Sequence, residues 1–525
     1  MNLLQTFFNA CLLAPVALMV VATVSALVFQ VCVTHIWRLF MWLAGATLVA
    51  AIASLVGSLF VSAPITTSPE SLFFWVGGSA FGAWVAVLVQ LLGTVIGAFS
   101  SRYLSGEQGQ RRYVASLAGV LAAVHLLLLA QHWLLLIAAW ALVGLAMQRL
   151  LCFYPDRPFA LLAAHKKRLA DRLADALLLL AAVLAWSDVG SGALPALWLH
   201  LEQSGASMAM QGSAIALALA VVLRTALLPV HGWLIQVMEA PTPVSALLHA
   251  GVVNLGGFVL ISFAPLLNAA PIARWLLVVF GLASALLAGL VMLTRISVKV
   301  RLAWSTVAQM GFMVLECGLG LYTLAALHLI GHSLYKAQAF LSASSAVQQS
   351  KLQTMHGQHA PSAFSLFVAP LWSGAIVVFL QTLTSGAVTA WPWWWTGVLA
   401  LAWAPLLWLP RALAHDAAMW PWRLLAGAGM VTGLSALALL FHVLPLGLTD
   451  APQAAAGGVA LLGMTAMYVC LVTLQLRPQT LVAWRRRSYA GFYLDEVYTR
   501  LALQLWPTRW TSPGASQSRQ SADAP

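Results

Sequence analysis

Charged side chains are scarce in this sequence. They make up 8% of its 525 residues, and only 14 residues are acidic. A soluble domain of this size needs a larger charged surface, so a soluble globular fold is excluded. The hydrophobic residues, 62% of the chain, instead form runs of about 20 that recur from end to end, which is typical of transmembrane helices. Met1 to Phe29 lack a basic n-region, so this stretch is expected to be a retained first span.

Cysteine is equally sparse, and its spacing excludes several kinds of site. There is no C-x-x-C and no His/Cys cluster with zinc spacing, so iron–sulfur, haem-c and structural zinc sites are disfavoured and no cofactor is expected in this chain. The five cysteines stand singly, at Cys11, Cys32, Cys152, Cys317 and Cys470.

The apolar runs predict an all-α, polytopic membrane protein with about 15 transmembrane helices. The predicted spans are 8–30, 39–62, 73–99, 113–131, 133–150, 173–187, 210–237, 244–266, 273–294, 302–320, 322–347, 363–387, 391–410, 423–446 and 456–476. We expect N-terminal helices over 1–111, a core over 112–350, C-terminal helices over 351–480, and a cytoplasmic amphipathic segment with a disordered tail over 481–525.

The net charge of +12 lies mostly in short connections between spans, which argues against a nucleic-acid partner. Connections after odd-numbered spans are basic, whereas those after even-numbered spans carry Glu70, Asp188, Glu202 and Asp450. This alternation predicts an N-terminus outside the cell and a C-terminus in the cytoplasm. The basic positions include Arg102, Arg111, Arg295, Lys351, Arg411 and Arg485 to Arg487.

Three other segments carry expectations of their own. The basic stretch Pro155 to Arg172 predicts a surface helix or a docking surface for a soluble partner, two alternatives that the sequence leaves open. Tyr489 to Trp506 is amphipathic and is expected to lie on the surface, and the tail after Pro513 is expected to be disordered. The tryptophans between Trp391 and Trp395 are expected to anchor a span at the membrane interface.

The stretch from Arg224 to Gly257 combines prolines with ionisable residues inside apolar sequence. Prolines interrupt a helix, and a bilayer tolerates such a break only where protein or water satisfies the freed backbone groups. Arg224 and His249 would therefore flank a broken helix on an ion path. The alternative is two ordinary spans joined by a proline-rich loop.

His328, His332 and Lys336 follow one another at intervals of four residues, so they share one face of a predicted helix. Three titratable groups on one face of an apolar span favour a proton or cation relay. Lys299 begins the preceding span as an anchor or as a further relay group. Asp175 would pair either with Arg172 three residues before it or with a basic residue on a neighbouring span.

These segments resemble the antiporter-like subunits of respiratory complex I and of Mrp cation/proton antiporters. The resemblance rests on A-P-T-P-V-S-A-L-L-H-A from Ala240, on K-V-R-L-A-W-S-T-V-A-Q-M-G-F-M from Lys299, and on the H-x-x-x-H-x-x-x-K helix from His328. It covers about two thirds of the chain, from about residue 112 onward. It implies the antiporter-like fold of the complex I membrane arm, with Lys299, His328, His332, Lys336, His249, Arg224 and Asp175 as ion-relay residues.

The chain departs from that pattern at three places. Ala141 follows Trp140 where the family has glutamate, Arg224 stands in place of lysine, and the second broken helix, around Leu380 to Thr389, lacks the expected lysine. Together with R-L-L-C-F-Y-P-D-R-P and G-F-Y-L-D-E-V-Y, these features resemble the DabB family, the membrane subunits of inorganic carbon pumps of autotrophic bacteria.

That resemblance implies a non-enzymatic inner-membrane subunit in which proton or sodium flow drives CO2 hydration to bicarbonate in a partner. The implied partner is DabA, a large soluble zinc protein on the cytoplasmic side, so zinc is expected there. Two alternative hypotheses remain. The chain could be a subunit of a cation/proton antiporter or of a complex I-like quinone oxidoreductase, or it could be a structural scaffold with an inactive channel.

Overall fold

A computed structural model of the chain describes residues 3–29, 32–60, 75–343, 361–384, 391–409, 420–477 and 479–507. These residues are almost entirely helical, which confirms the predicted all-α fold. The helices are α1 (Leu3–Val28), α2 (Val33–Phe60), α3 (Ala80–Tyr103), α4 (Gln110–Leu128), α5 (Trp133–Leu151), α6 (Pro158–Val189), α7 (Leu194–Ser204), α8 (Met208–Arg224), α9 (Gly232–Gln236), α10 (Thr242–Ala250), α11 (Leu255–Ser262), α12 (Ala264–Asn268), α13 (Pro271–Leu293), α14 (Val298–Leu319), α15 (Tyr322–Leu341), α16 (Ala363–Leu383), α17 (Trp393–Trp403), α18 (Trp420–His442), α19 (Ala454–Leu476), α20 (Val482–Tyr489) and α21 (Leu494–Leu505).

Within these ranges, 11 helices are long and apolar enough to cross a bilayer, and α10 with α11 counts as one of them. Two shorter apolar helices, Met208–Arg224 and Trp393–Leu407, correspond to further predicted spans. The helices α6 and α15 carry more polar residues than that criterion allows, but they pack against α8 and α10 inside the bundle. The count of about 15 spans is therefore in agreement with the structure.

The prolines break the predicted span at 210–237. Helix α8 ends at Arg224, and Ala226 adopts a positive φ of 54°. Only the short α9 and a 3-10 turn, Val237–Glu239, form before Pro241, which precedes α10. Side chains satisfy part of the freed backbone: the Leu228 amide donates to Ser284 Oγ at 3.1 Å, and Arg157 Nη1 donates to the Glu239 carbonyl at 2.7 Å. Protein atoms thus supply the partners that a break at membrane depth requires.

Helix α6 differs from expectation because the segment from Pro155 to Arg172 does not form a separate surface helix. It runs continuously from Pro158 to Val189, so the basic stretch and the span are one helix of 32 residues. Lys166 and Lys167 are buried, each beside a carboxylate. The lysines that suggested a solvated face lie inside the protein because carboxylate partners compensate their desolvation.

One apolar core runs from α1 to α15. A second cluster joins α13, α14 and α15 to the C-terminal helices, and a third lies among α16 to α19. At the centre of the core, α13 and α14 approach so closely that a Cβ on Gly281 would lie 2.7 Å from the Gly311 carbonyl oxygen. A Cβ on Gly311 would lie 2.7 Å from the Ala285 nitrogen. Glycine at these two positions permits the backbone contact that holds α14 in place.

The tryptophan cluster corrects another expectation. Trp391, Trp394 and Trp395 are buried in the second apolar cluster, and only Trp393 is exposed. They act as core residues because α17 packs against α19 along this face.

Several predicted features lie outside the described residues: Glu70, Lys351, Arg411, the division at 350/351, the second part of the segment 380–389, and the tail after Pro513. The other predicted divisions of the chain stay predictions.

Candidate functional site

The first part of the site is a buried ion pair between α8 and α6. Arg224, the last residue of α8, forms an ion pair with Asp175 on α6. Its Nη1 also donates to the Trp140 carbonyl at 2.8 Å, and its guanidinium lies 4.8 Å from the centre of the Trp140 ring. The second Asp175 oxygen accepts from Arg172 Nη1 at 3.1 Å, so Asp175 pairs with both candidates. Arginine does not lose its proton in proteins, so Arg224 is a fixed positive charge.

Sequence reasoning missed a second buried pair one turn away on α6. Lys167 forms an ion pair with Asp171, and its ammonium lies 5.4 Å from the centre of the Trp233 ring. A Cβ on Gly144 of α5 would lie 2.8 Å from Asp171 Oδ2 and 3.9 Å from Arg224 Nη1. The carboxylates near Arg224 therefore come from α6, in a chain that has Ala141 instead of a glutamate on α5.

A third cationic centre joins α6 to the C-terminal helix. Lys166, which has no exposed side-chain surface, pairs with Asp495 and donates to Thr499 Oγ1 at 2.8 Å on α21. It also donates to Gln236 Oε1 at 3.2 Å on α9, and Gln236 Nε2 donates to Asp495 Oδ2 at 3.0 Å. This contact ties α21, α9 and α6 together.

Tyr498 adds a further hydrogen bond to this joint, by donating to the Lys166 carbonyl at 3.0 Å. Burial is the main reason that the pKa of the Tyr498 phenol is raised, so the hydroxyl remains a donor at neutral pH. The amphipathic segment from Tyr489 to Trp506 thus docks through its polar face, and Val497, Leu501 and Leu505 are left exposed.

The three residues predicted on α15 do share one face, directed at α14 and α10. His328 Nδ1 lies 2.9 Å from Glu316 Oε2, and the rings of His328 and His332 are 6.0 Å apart. His328, Lys336 and His249 are all close enough to His332 to interact with it electrostatically. This face of α15 therefore carries neighbouring titratable groups, and the first of them, His328, lies beside a carboxylate on α14.

Lys336 is fully buried, and its partners are neutral. Its ammonium donates to the Leu302 carbonyl at 2.9 Å and to Ser305 Oγ. In the part of the chain that the structure describes, Lys336 forms no ion pair with a carboxylate. A buried ammonium without a counterion loses its proton at a far lower free-energy cost than one paired with a carboxylate.

His249 on α10 completes this group. Its Nδ1 lies 3.1 Å from Thr306 Oγ1, and its ring stacks on Phe340 with centroids 4.5 Å apart. The Nε2 atoms of His249 and His332 are buried and make no hydrogen bond to any described residue. Both rings therefore keep one nitrogen available for proton exchange.

Lys299 lies apart from this group and is half-buried at the start of α14. Its ammonium donates to Thr242 Oγ1 at 2.9 Å, at the start of α10. The predicted residues thus fall into two sets. Arg224 and Asp175 form the first, and the second consists of His249, His328, His332 and Lys336. Lys299 belongs to neither set and lies at the end of α14 nearest the broken helix.

Sequence reasoning also missed the environment of His231. The residue is buried next to the break, with its ring 4.8 Å from that of Trp304 and its Nδ1 3.3 Å from the Pro229 carbonyl. Its position two residues after Pro229 was the available signal. Over the described ranges, no three His, Cys, Asp or Glu side chains come together in a way that could hold a metal ion.

Comparisons with known proteins agree with this architecture. Residues 130–392 match the family described as NADH:quinone oxidoreductase/Mrp antiporter, transmembrane. The probable inorganic carbon transporter subunit DabB of Hydrogenovibrio crunogenus is 39% identical over 83% of this chain and 86% of its own length. The probable inorganic carbon transporter subunit DabB2 of Halothiobacillus neapolitanus is 36% identical over 81% of this chain and 79% of its own length.

Among solved structures, that of the Mrp complex from Dietzia sp. DQ12-45-1b matches with a TM-score of 0.53 and 19% sequence identity. The match covers 99% of this chain and 58% of the other chain. At that level of identity the similarity establishes a shared antiporter-like fold.

Proposed function

We propose that this chain, which belongs to the DabB family of inorganic carbon transporter subunits, conducts protons or sodium ions and uses their flow to drive CO2 hydration in a partner subunit. The partner would be a DabA-like soluble zinc protein on the cytoplasmic side, and the product would be bicarbonate. In this proposal the chain is an inner-membrane subunit with its N-terminus outside and its C-terminus in the cytoplasm, and it carries no catalytic residues.

The observation that carries the proposal is the environment of Lys336. Among the described residues, the Lys336 ammonium contacts a carbonyl, a hydroxyl and the Tyr335 ring, all of them neutral. A buried ammonium with neutral partners can exchange a proton, whereas a paired one is held in its charged form. His332 and His249 lie next to it, His328 follows along α15, and Glu316 on α14 lies beside His328. These groups supply the successive sites that a relay through a bilayer needs.

The coupling to a soluble partner would run through α6. This helix carries Asp175, which contacts the broken helix through Arg224, and Lys166, which contacts the C-terminal helix through Asp495. Because α6 is one continuous helix, a change in the contact between Asp175 and Arg224 would be transmitted to the contact between Lys166 and Asp495. Ion occupancy can drive the partner only by favouring one of its states with a differential free energy.

The second candidate function is a subunit of a cation/proton antiporter or of a complex I-like quinone oxidoreductase. The family match over 130–392 and the fold shared with the Mrp complex favour it. Purification of the chain with its bound proteins separates the two candidates. A large soluble zinc protein would support carbon transport, and a set of other antiporter subunits would support the alternative.

The relay is tested by expressing the chain with its partner in cells that lack carbonic anhydrase and measuring bicarbonate accumulation. Lys336→Ala is expected to abolish accumulation. Lys336→Arg is also expected to do so, because arginine keeps the charge but does not release its proton. Unchanged accumulation in both variants would remove the relay and support an inactive scaffold.

The same assay distinguishes the two cations. Accumulation that stops when a protonophore dissipates the proton gradient, at constant sodium, supports protons. Accumulation that follows external sodium and resists the protonophore supports sodium.

A further inference from the structure

A groove lies at the ends of several spans, away from the relay residues. It is formed by the end of α13, the segment after α17, the end of α19 and helix α20, and its volume is about 1110 Å³. The apolar wall comes from Leu290, Leu293, Leu471 and Leu474. Leu293 is exposed, so the wall is open on the outside of the helix bundle.

The rim of the groove is basic and aromatic. Arg485 and Arg486 line it on one side, and Trp408, Trp484 and Tyr489 frame it. Neither arginine forms an ion pair with any carboxylate in the described ranges. Among the described residues, the groove thus combines two guanidinium groups that have no carboxylate partner with an apolar wall.

Two of the residues that line the groove carry a hydrogen-bond donor without a partner among the described residues. Ser488, which is 2% exposed, and Trp484 both line it. Ser488 Oγ and Trp484 Nε1 are buried and make no hydrogen bond to a described residue. A buried donor without a partner costs free energy, so an acceptor at this place would be stabilised.

We propose that this groove binds an anionic phospholipid, with the phosphate at Arg485, Arg486, Ser488 and Trp484 and the acyl chains along the leucines. Basic pockets between transmembrane helices bind anionic headgroups, and a guanidinium binds a phosphate through two parallel hydrogen bonds. Tryptophan and tyrosine at the rim are typical of the headgroup level of a bilayer. The charge complementarity and the continuity of the wall with the outside of the spans distinguish a lipid from a soluble ligand.

The site would also hold α20 in its place at the end of the bundle. Tyr489, at the rim, contacts the Arg295 guanidinium, which lies 5.5 Å from its ring centre and 5.3 Å from that of Trp304. Trp304 in turn contacts His231 in the broken helix. A lipid in the groove would therefore brace the helix that leads into α21, independently of whether the relay conducts.

The experiment uses the full chain in nanodiscs made of phosphatidylcholine with one quarter phosphatidylglycerol, followed by extraction and native mass spectrometry. The wild-type chain is expected to retain phosphatidylglycerol in preference to phosphatidylcholine. The double variant Arg485→Gln with Arg486→Gln is expected to weaken phosphatidylglycerol retention about thirtyfold. Each basic residue near an anionic headgroup contributes about 1 kcal/mol, or about fivefold in affinity, and two residues are removed. Arg487→Gln is the matched control, because Arg487 is exposed and does not line the groove.

A second variant keeps the test valid should the double variant fold poorly. Leu474→Trp fills the apolar part without changing charge, and it is expected to displace the bound lipid while the arginines remain. Equal retention of the two lipids by the wild-type chain, or full phosphatidylglycerol retention by both variants, would overturn the proposal. Loss of a co-purifying soluble protein from the double variant, with lipid retention intact, would also overturn it and assign the arginines to a protein interface.

Discussion

Two groups of buried basic residues in this protein differ in what they contact. On α6 and α8, the cations Lys166, Lys167 and Arg224 each form an ion pair with an aspartate. On α15, Lys336 contacts a hydroxyl and a carbonyl, and two histidine rings lie beside it. The positive charges of the first group are compensated by aspartates, whereas Lys336 has no carboxylate partner among the described residues.

Under the proposed relay, this difference would separate positions that hold structure from positions that exchange ions. Removing one partner of a buried ion pair leaves a charge without compensation, which is strongly destabilising. Removing a buried ammonium that has no counterion eliminates a desolvation penalty and a few hydrogen bonds. Substitutions in the first group should therefore mainly lower the free energy of unfolding, whereas substitution of Lys336 should mainly lower conduction.

The largest effect on stability is expected at Asp175. Asp175→Ala leaves Arg224 buried beside Trp140 without its aspartate and should cost roughly 3–5 kcal/mol. The measurement is the thermal unfolding of the purified chain in detergent. The double variant Asp175→Leu with Arg224→Met is the control and should recover most of the loss. A single variant as stable as the wild type would contradict the assignment of this pair.

The next effect is expected at Asp495. Asp495→Ala removes the anion beside fully buried Lys166 and should cost about 1.5–3 kcal/mol, typical of hydrogen bonds to charged groups. Because α21 is held through this contact, the first sign should be faster proteolysis near Leu494–Leu505. Glu496→Ala, one residue further on, is the comparison, and equal proteolysis of the two variants would argue against the joint.

A small effect on stability but a large one on conduction is expected at Lys336. In Lys336→Met, the Leu302 carbonyl still accepts from Thr306 and Ser305 still donates to Leu302, so the loss should be at most about 1 kcal/mol. Ion flux into proteoliposomes should nevertheless disappear. A variant that unfolds as readily as Asp175→Ala would remove the distinction between the two groups.

The smallest effect is expected at Lys299. This residue is half-buried and makes one hydrogen bond, to Thr242, so Lys299→Gln should change stability by about 0.5 kcal/mol or less. If Lys299 also passes ions to Lys336, flux should fall, but less than in Lys336→Met. Flux as low as in that variant would place Lys299 among the indispensable relay groups.

The sequence predicted the number of spans and the broken helix because both follow from local features. Runs of apolar residues have the length of a bilayer, and prolines remove backbone donors wherever they occur. The interval of four residues likewise put His328, His332 and Lys336 on one face, as the structure shows. The pairing of Asp175 remained open, because both Arg172 and a neighbouring span offered a partner.

The sequence did not predict the burial of Lys166, because its anion is 329 residues further along the chain. Charge in a connection usually indicates a solvated surface, and only the docking of α21 onto α6 reverses that expectation. The same reasoning applies to Trp391, Trp394 and Trp395, which are core residues because α19 covers them. Lysine in a connection and tryptophan at the end of a span are usually exposed, and the sequence predicted exposure for both. Here neighbouring helices bury them.

By itself, the sequence determined that this is a many-spanning helical membrane protein with an interrupted helix and a row of titratable groups. These properties depend on composition and on spacings of a few residues, which the chain carries locally. The tertiary structure decided which cations are paired and which are not, because a carboxylate within reach of a given ammonium comes from helix packing. In a medium of low dielectric constant, that pairing decides whether a charge is fixed or exchangeable.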